Sequence, residues 1–428
     1  MERKYKFLLL FLIISISNLT ISAQNGLMDL SNQNYTTNDT LSVVSLEYWE
    51  TQITRSVGHS PNSVFIGDAN NDGHNDIVTA NTDDATVSIL LWNMTAGDWD
   101  PQIKRGTGYS PISVFIGDAN NDGQNDIATA NIDHDNVSIL LWNAPAGDWD
   151  PQITRPVGDG PGSVFIGDVN NDEQNDIVTA NTEHDTVSIL LWNTTASDWD
   201  SQITRPVGDW PFSVFIGDAN NDEQNDIVTA NVPDNNVSIL LWNTTSSDWD
   251  TQITRTVGNY PYSVFIGDAN NDGQNDIITA NFWDNNVSIL SWNTINGDWN
   301  DQITRAVGEK PRSVFVGDAN NDGQNDIVTV NSFDDDVSIL LWNTIFSKWD
   351  SQITRSVGWQ PESVFIGDAN NDGQNDIVTA NAWDNNVSIL LAFSPKQPIL
   401  GFELFFASIG IIAMTIIYLR RKNSLRLL

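Results

Sequence analysis

A repeat of fifty residues constrains the fold of this chain more than any other feature. The motif Gly67-Asp68-Ala69-Asn70-Asn71-Asp72 returns at a fixed interval, and only Val169 departs from it, at the alanine position. A period of this length indicates repeats that stack or close into a ring. The aspartate near the start of the motif recurs seven times, at Asp68, Asp118, Asp168, Asp218, Asp268, Asp318 and Asp368.

Each unit contains four short segments with the composition of β-strands. In the first unit these are residues 63–67, 76–80 and 87–92, and residues 52–57 represent the fourth strand. They are rich in Val, Ile, Phe and Thr and bounded by Asn, Asp, Gly or Pro. The units contain no segments with helical character, which argues against a helical solenoid. Independent modules are also disfavoured, because a lone four-stranded unit without a disulfide cannot cover both of its apolar faces. The sequence therefore predicts an all-β fold, a seven-bladed β-propeller of four-stranded antiparallel blades.

The two ends of the array predict how the ring closes. The chain enters with a fourth strand, residues 52–57, and leaves after a third strand, residues 387–391, with no fourth strand behind it. Pairing of the two would complete one blade and remove an exposed strand edge. The propeller is therefore predicted to span residues 51–392. In the preceding linker, residues 24–50, the apolar stretch 41–46 either joins the closing blade or lies over it.

The charge of the chain excludes one class of partner. With 56 Asp and Glu against 19 Lys and Arg, the net charge is -37, so the surface repels phosphate backbones. Nucleic acid is therefore not an expected partner. The chain has no cysteine, which removes disulfides and thiolate metal sites from consideration. We expect a monomeric ring.

The two ends of the chain predict delivery to a membrane. Residues 1–23 combine basic residues, an apolar stretch and the small-residue site Ile21-Ser22-Ala23, which is typical of a secretory signal peptide. Residues 399–419 form an apolar run that is long enough, at about 1.5 Å per residue, to cross a hydrocarbon core of about 30 Å. The basic segment 420–428 would stay in the cytoplasm, and the propeller, joined through residues 393–398, would lie outside the cell.

The segment around the start of this run resembles the C-terminal sorting signals of archaeal surface proteins. In those signals Pro, Gly and Phe precede an apolar run and a basic cluster. Here Pro398, Gly401 and Phe402 keep that order, but Ile399 and Leu400 lie between them. The resemblance implies cleavage and lipid linkage, and the interrupted order fits a plain transmembrane anchor at least as well.

A set of oxygen donors recurs in the loop after the first strand of each unit. In the first unit, positions one, three, five and nine carry Asp68, Asn70, Asp72 and Asp76, and position six is Gly73. Oxygen ligands at this spacing suit a hard cation with six to eight ligands, calcium before magnesium. Three close carboxylates would repel one another without a cation. A solvated acidic turn and a catalytic carboxylate pair are alternatives, and seven copies with one spacing argue against both.

The predicted calcium sites, up to seven, use the same four positions in every unit. Glu173 and Glu223 replace the glycine at position six, where a left-handed turn costs a non-glycine residue about 1 kcal/mol. The third and fourth sites are therefore predicted to be weaker. The predicted ligands are Asp68, Asn70, Asp72, Asp76, Asp118, Asn120, Asp122, Asp126, Asp168, Asn170, Asp172, Asp176, Asp218, Asn220, Asp222, Asp226, Asp268, Asn270, Asp272, Asp276, Asp318, Asn320, Asp322, Asp326, Asp368, Asn370, Asp372 and Asp376.

These loops also resemble a known repeat. The pattern Gly67-Asp68-x-Asn70-x-Asp72-Gly73-x-x-Asp76 between two strands looks like the FG-GAP or VCBS repeat, over about residues 52–391. That repeat is the unit of integrin α-subunit propellers and of many microbial surface proteins. The resemblance implies calcium in the loop between the first and second strands of every blade, on what we call the lower face of the ring.

The opposite face, which we call the variable face, is predicted to bind a ligand. Its loops join the second strand to the third and the fourth strand to the next unit, and they collect aromatic residues in the fourth to seventh units. Thirteen of the 17 Trp repeat with the period and are assigned to the core, which leaves four in these loops. Exposed aromatic side chains are typical recognition anchors, and neutral variation of loops is the alternative. The predicted ligand-binding residues, all placed in loops, are Trp210, Phe212, Tyr260, Tyr262, Trp283, Lys310, Arg312, Trp359 and Trp383.

The cations divide into two groups. Seven Arg that repeat with the period, from Arg55 to Arg355, are predicted to pair with carboxylates between blades. Lys310 and Arg312 do not repeat, lie beside the aromatic units, and are predicted to meet an acidic group of a ligand.

Three functions are compatible with these features. The first is a calcium-stabilised cell-surface protein for adhesion or recognition, which binds an extracellular protein or a glycan through the variable face. The second is a polysaccharide-acting enzyme of the lyase type, since some lyases are built from repeats that this one resembles. Because all units have equal length and no His, Tyr or Lys constellation stands out, we predict no catalytic residue. The third is a structural component of the cell-surface coat, with glycans on its Asn-x-Ser/Thr sites.

Overall fold

The computed structural model describes residues 48–393, which form a ring of seven four-stranded antiparallel sheets. The predicted seven-bladed all-β propeller is confirmed. Within residues 48–393 the single helical element is the short 3-10 turn Thr82–Asp84.

The innermost strand of each blade runs from a proline to the glycine that precedes the aspartate loop. Its second residue forms a β-bulge, because Pro61 and Ser63 pair with Asn81 and Ala80 while the residue between them has no partner. The innermost strands are Pro61–Gly67, Pro111–Gly117, Pro161–Gly167, Pro211–Gly217, Pro261–Gly267, Pro311–Gly317 and Pro361–Gly367.

The second strand of each blade is buried along its whole length, and the third strand is buried after its first residue. Continuous burial of this kind is typical of strands covered on both faces, although these strands also bury polar residues such as Thr79 and Asn81. The second strands are Asp76–Asn81, Asp126–Asn131, Asp176–Asn181, Asp226–Asn231, Asp276–Asn281, Asp326–Asn331 and Asp376–Asn381. The third strands are Thr86–Leu90, Asn136–Leu140, Thr186–Leu190, Asn236–Leu240, Asn286–Leu290, Asp336–Leu340 and Asn386–Leu390.

The fourth strand forms the outer edge of each blade, where a terminal proline is tolerated. Fourth strands are Ile53–Ser56, Ile103–Gly106, Ile153–Pro156, Ile203–Pro206, Ile253–Thr256, Ile303–Ala306 and Ile353–Ser356. A two-residue hairpin precedes six of them: Trp92–Asn93 with Asp98–Trp99, Trp142–Asn143 with Asp148–Trp149, Trp192–Asn193 with Asp198–Trp199, Trp242–Asn243 with Asp248–Trp249, Trp292–Asn293 with Asp298–Trp299, and Trp342–Asn343 with Lys348–Trp349.

The ring closes by the predicted pairing of its two ends. Strand Ile53–Ser56 is the fourth strand of the last blade and pairs with Asn386–Leu390, with Ile53 opposite Ile389. A further bridge joins Trp49 to Ala392. Pairing of the ends removes the strand edge that an open array would expose.

Apolar side chains fill the spaces between blades. Val187 of the third blade, for example, lies in one buried cluster with Val214 and Trp249 of the fourth. Each fully buried side chain of this size contributes about 1.5–3 kcal/mol. Near the inner strands, seven phenylalanines form a closed belt with ring centroids 4.4 to 4.9 Å apart: Phe65, Phe115, Phe165, Phe215, Phe265, Phe315 and Phe365.

Five of the seven repeated arginines pair with a carboxylate of the neighbouring blade, as predicted, whereas Arg305 and Arg355 stack on tryptophan rings. Arg205 of the third blade pairs with Asp248 of the fourth at 2.5 Å, and its guanidinium lies 5.6 Å from the centre of the Trp249 ring. In the sixth blade Lys348 replaces the aspartate, and Arg305 stacks on Trp349 at 5.2 Å. The other bridged pairs are Arg55–Asp98, Arg105–Asp148, Arg155–Asp198 and Arg255–Asp298.

Several predicted segments lie outside the described residues. They are the signal peptide 1–23, the apolar stretch 41–46, the transmembrane helix 399–419 and the basic tail 420–428. Between residues 48 and 393, no helix has the length and apolar character needed to span a membrane.

Candidate functional site

Six of the seven aspartate loops share one set of internal hydrogen bonds, and the fifth loop differs from them. In the first blade the Asp68 carboxylate accepts the backbone N–H groups of Asp72 and Gly73 at 3.0 and 2.8 Å. Asp72 accepts the N–H of His74 at 3.0 Å, and its carboxylate also accepts the side-chain amide of Asn70 at 3.0 Å. The side chains predicted as ligands therefore also hold the turn of the loop.

The aspartate at position nine connects the loop to the blade. Asp76 is fully buried, and its two carboxylate oxygens accept the N–H groups of Ala69 and Trp92 at 3.1 and 2.9 Å. The pKa of Asp76 is raised to about 7, chiefly by burial and also by the charges of Asp72 and Asp68, while the two hydrogen bonds oppose the increase. The pKa values of the six equivalent aspartates are also raised to about 7: Asp126, Asp176, Asp226, Asp276, Asp326 and Asp376.

The chemistry of the donor set fits a hard cation. Because the charges of Asp68 and Asp72 both raise the pKa of Asp76, a shared cation would relieve a repulsion that is present in the loop. The carboxylates do not converge on one point, however: no cluster of three or more His, Cys, Asp or Glu arranged to hold a metal occurs in residues 48–393. A cation would have to compete with backbone N–H groups for Asp68 and Asp72.

The fifth loop differs in one side chain. The amide of Asn270 turns toward the buried Asp276, with its nitrogen 3.5 Å from that carboxylate and 3.3 Å from the Ser291 hydroxyl. Ser291 stands where the other units have leucine, which leaves room for this rotamer. Positions three and nine can therefore approach each other within one loop.

Position six has the predicted left-handed backbone. Gly73 and Gly273 have φ values of 89° and 85°, and Glu173 and Glu223 are held at 67° and 70°. A side chain in this region costs about 1–2 kcal/mol. The third and fourth loops are therefore strained where the others are not.

We expect Glu223→Gly to stabilise the protein by about 1 kcal/mol, because it removes this strain. Gly273→Glu is the matched control and should destabilise by a similar amount, since a Cβ at position 273 meets no atom within 4 Å and only the backbone responds. Denaturant titration measures both. Equal stability of the parent and the two variants would show that the turn carries no strain.

The sequence analysis missed a set of hydrogen bonds that joins neighbouring loops. The N–H of Asn125 donates to the side-chain oxygen of Asn71 at 2.7 Å, and the Asn71 amide donates to the Asn125 carbonyl at 3.0 Å. The same bonds link the last blade to the first through Asn371 and Asn75. The signal was present, because both asparagines recur in all seven units.

The nine predicted ligand-binding residues lie at the opposite end of the blades, but three are not in loops. Phe212, Tyr262 and Arg312 are the second residues of strands Pro211–Gly217, Pro261–Gly267 and Pro311–Gly317. Each is the extra residue of the β-bulge and has no partner on the neighbouring strand. This explains why the sequence pattern placed these three residues in loops. The other six are in loops, as predicted.

Six of the nine residues belong to one contiguous cluster. Ring centroids are 5.0 Å apart for Phe212 and Tyr262, 5.0 Å for Tyr262 and Phe282, and 5.0 Å for Phe282 and Trp283. Tyr260 packs against Trp283 at 5.9 Å. Phe282, in the same loop as Trp283, is buried at the centre of this cluster.

The two non-repeated cations are held within this cluster. The Lys310 ammonium lies 5.1 Å from the Trp283 ring and 4.8 Å from the Phe333 ring. Arg312 stacks on Tyr262 at 5.0 Å and pairs with Glu362 at 3.2 Å. Burial raises the pKa of Glu362, and the Arg312 charge opposes that increase. Arg312 is therefore already engaged by an acidic group of the protein itself.

The four non-repeated tryptophans are the most exposed part of the candidate site. Trp210, Trp283, Trp359 and Trp383 are 45, 54, 62 and 71% exposed. Trp359 and Trp383 lie on adjacent loops, where the N–H of Trp383 donates to the Trp359 carbonyl at 3.3 Å. These rings offer apolar area to a partner without being part of the core.

The ring of seven blades, each with an aspartate loop after its innermost strand, defines a class, the seven-bladed β-propellers with repeated aspartate loops. The FG-GAP-like repeat matches residues 68–129, 118–179, 168–229, 218–279, 270–329 and 318–379. The chain belongs to the FG-GAP-like repeat family. No curated protein sequence matches it significantly.

Solved structures share the fold at low sequence identity. BBS1N in complex with ARL6DN is 11% identical with a TM-score of 0.58, over 81% of this chain and 98% of that one. A putative 6-phosphogluconolactonase from Bacteroides fragilis is 14% identical with a TM-score of 0.53, over 72% and 87%. The periplasmic gluconolactonase PpgL from Pseudomonas aeruginosa is 13% identical with a TM-score of 0.52, over 70% and 86%. At such identities the likeness shows the propeller fold alone.

Proposed function

We propose that this protein is a calcium-stabilised recognition protein of the cell surface that binds an extracellular protein or glycan through its variable face. The observation that carries the proposal is the concentration of exposed tryptophans around one aromatic and cationic cluster. Trp283 belongs to that cluster, and Trp359 and Trp383 extend the exposed aromatic surface to the last blade. Aromatic residues and arginine are enriched in binding sites for macromolecules.

The same surface favours binding over catalysis. Perturbed pKa values mark candidate catalytic groups, but the strongly raised carboxylates are seven equivalent, fully buried aspartates such as Asp76. Glu362, near the aromatic cluster, is buried, forms an ion pair with Arg312 and accepts a hydrogen bond from Gln360. Neither partner is a second carboxylate, so the pair of acidic groups typical of acid and base catalysis is not formed by these contacts. We therefore propose no enzymatic activity.

The membrane anchor and the external location are part of this proposal. They are supported by the apolar run 399–419 and the cations that follow it. The alternative role, a structural coat component, predicts dense assembly without a specific ligand.

The triple variant Trp283→Ala, Trp359→Ala and Trp383→Ala is expected to abolish ligand capture while the ring stays folded. These side chains lie outside the repeated core, so stability should change by no more than about 1 kcal/mol. Glycan-array binding and capture of surface proteins by the full chain measure the first effect, and thermal unfolding measures the second.

The matched control removes exposed apolar side chains from the hairpin tips. Met94, Ile295 and Phe346 are at least 60% exposed and lie at the opposite end of the blades from the tryptophans. Their replacement by Ala should therefore leave capture unchanged. Capture that survives the tryptophan variant would move the site away from the variable face. A parent chain that captures nothing and assembles into arrays would favour the coat component.

A further inference from the structure

Grooves recur between consecutive blades on the lower side of the ring. The groove between the third and fourth blades has a volume of about 590 Å³ and is lined by Asn171, Arg205, Gln224, Trp242 and Trp249, among others. An equivalent groove of about 590 Å³ lies between the second and third blades, and one of about 480 Å³ between the fifth and sixth. The volumes are in the range of small-ligand sites, about 300–1,000 Å³.

Each groove combines an aromatic wall with a polar rim. Trp242 is half-buried and stands at 69° to the buried Trp249, with ring centroids 4.9 Å apart. Arg205 and Asp248 cross the groove as an ion pair whose side chains remain 28 and 47% exposed. The exposed hydroxyl residue Thr244 lies on the rim. The groove thus offers a flat apolar surface beside both donors and acceptors.

One donor in the wall is unsatisfied. The indole N–H of Trp249 is buried and has no hydrogen-bond partner in the part of the chain that the structure describes. The same holds at the equivalent position of other blades, at Trp99, Trp149, Trp199, Trp299 and Trp349. Buried donors without partners are rare, and each costs about 1–3 kcal/mol. Because these nitrogens are closed to solvent, a ligand in the groove cannot reach them without a shift of the indole, and they do not count among its contacts.

We propose that these interblade grooves are a second set of binding sites, each for one neutral sugar residue of a glycan. A sugar ring stacks its C–H face on an aromatic ring such as Trp242, and its hydroxyls both donate and accept. Arg205 and Asp248 supply the complementary charge-assisted hydrogen bonds.

Charge argues for a neutral sugar over an acidic one. Asp248 lines the groove, and the whole chain carries a net charge of -37. An anionic polysaccharide would therefore be repelled. Because the grooves recur around the ring, several weak sites on one molecule bind a polyvalent glycan far more tightly than one site binds a single sugar.

The groove between the fifth and sixth blades is expected to be the weakest of the three. Lys348 replaces the aspartate that pairs with the arginine elsewhere, so Arg305 has no carboxylate at this position to share a sugar hydroxyl. The smaller volume is consistent with this difference.

The test titrates the full chain with the methyl glycosides of glucose, galactose and N-acetylglucosamine, and with polymers that carry them. We expect more than one equivalent of at least one glycoside per chain, with a change in tryptophan fluorescence. The double variant Thr194→Trp and Thr244→Trp fills two grooves from their exposed rims without altering the core. It should lower the stoichiometry by two and weaken polymer binding at least tenfold.

Two further measurements complete the test. Trp192→Leu with Trp242→Leu should reproduce the loss, and Tyr109→Ser, which removes an exposed aromatic from the variable face, should not. Polygalacturonate should not bind. The proposal is overturned if none of the three glycosides binds at millimolar concentration, or if a folded groove variant keeps the parent stoichiometry. The outcome is independent of the variable-face tryptophans, so it does not decide the proposed function.

Discussion

EDTA is expected to lower the melting temperature of this protein, and excess calcium is expected to restore it. Each occupied loop adds RT ln(1 + [Ca]/Kd) to the free energy of unfolding, which is about 2.7 kcal/mol at a hundredfold excess of calcium over Kd. Because hydrogen bonds between Asn71 and Asn125 and their equivalents link every loop to the next, loss of calcium from one loop should also loosen its neighbours.

The contrast between strained and unstrained loops makes this prediction specific. Asp318→Asn removes a carboxylate from a loop with glycine at position six, and Asp218→Asn makes the same change in the loop with Glu223. The first variant should lose more of the calcium-dependent stability, because its site is the tighter one. Magnesium should restore less stability than calcium, since it demands a stricter octahedral geometry.

A melting temperature that does not respond to EDTA would contradict the calcium assignment. The structure already contains the alternative in that case, because Asp68 and Asp72 accept backbone N–H groups within the loop. The repeated carboxylates would then be structural elements of the turn. Calorimetric titration of the calcium-free protein with calcium separates the two cases directly.

The sequence predicted the ring because its signals are local and repeated. The strand pattern, the period and the unmatched strands at the two ends determine blade number and closure without any tertiary information. The pairing of Ile53–Ser56 with Asn386–Leu390 is therefore confirmed almost to the residue. The interblade role of Arg205 and its equivalents was also predictable, since regular cations in an acidic chain need regular partners.

The candidate site was less predictable because its residues are not local to one another. Phe212, Tyr262 and Arg312 resemble loop residues, and only the pairing of Pro211 and Ser213 with the next strand reveals the bulge between them. The partner of Arg312 is Glu362, one blade and fifty positions away, at a position that carries a different residue in every unit. Nothing in a single sequence specifies such a pair.

The variable face is expected to point away from the membrane. The last described strand, Asn386–Leu390, leads to Ala392, whose N–H donates to Asp376 of the aspartate loop at 2.9 Å. The chain therefore leaves the ring on the lower face. From Phe393 to the predicted helix at 399, a tether reaches no more than about 20 Å at about 3.5 Å per residue.

So short a tether restricts the orientation of the ring. Four strands spaced by about 4.8 Å make each blade about 15–20 Å deep, so the ring is roughly 40 Å across. A body of this width cannot turn over on a tether of about 20 Å without meeting the lipid. The lower face should therefore lie near the membrane, and the exposed tryptophans should face outward.

Cysteine labelling on intact cells can measure this orientation, because the chain has no cysteine of its own. Trp283→Cys and Glu223→Cys place single thiols at exposed positions on opposite faces. A bulky membrane-impermeant maleimide should label position 283 at least tenfold faster than position 223, since the membrane obstructs the lower face. The same two variants in detergent are the control and should react at similar rates. Faster labelling at position 223 on cells would mean that the variable face lies toward the membrane. The predicted anchor and its short tether would then not set the orientation of the ring.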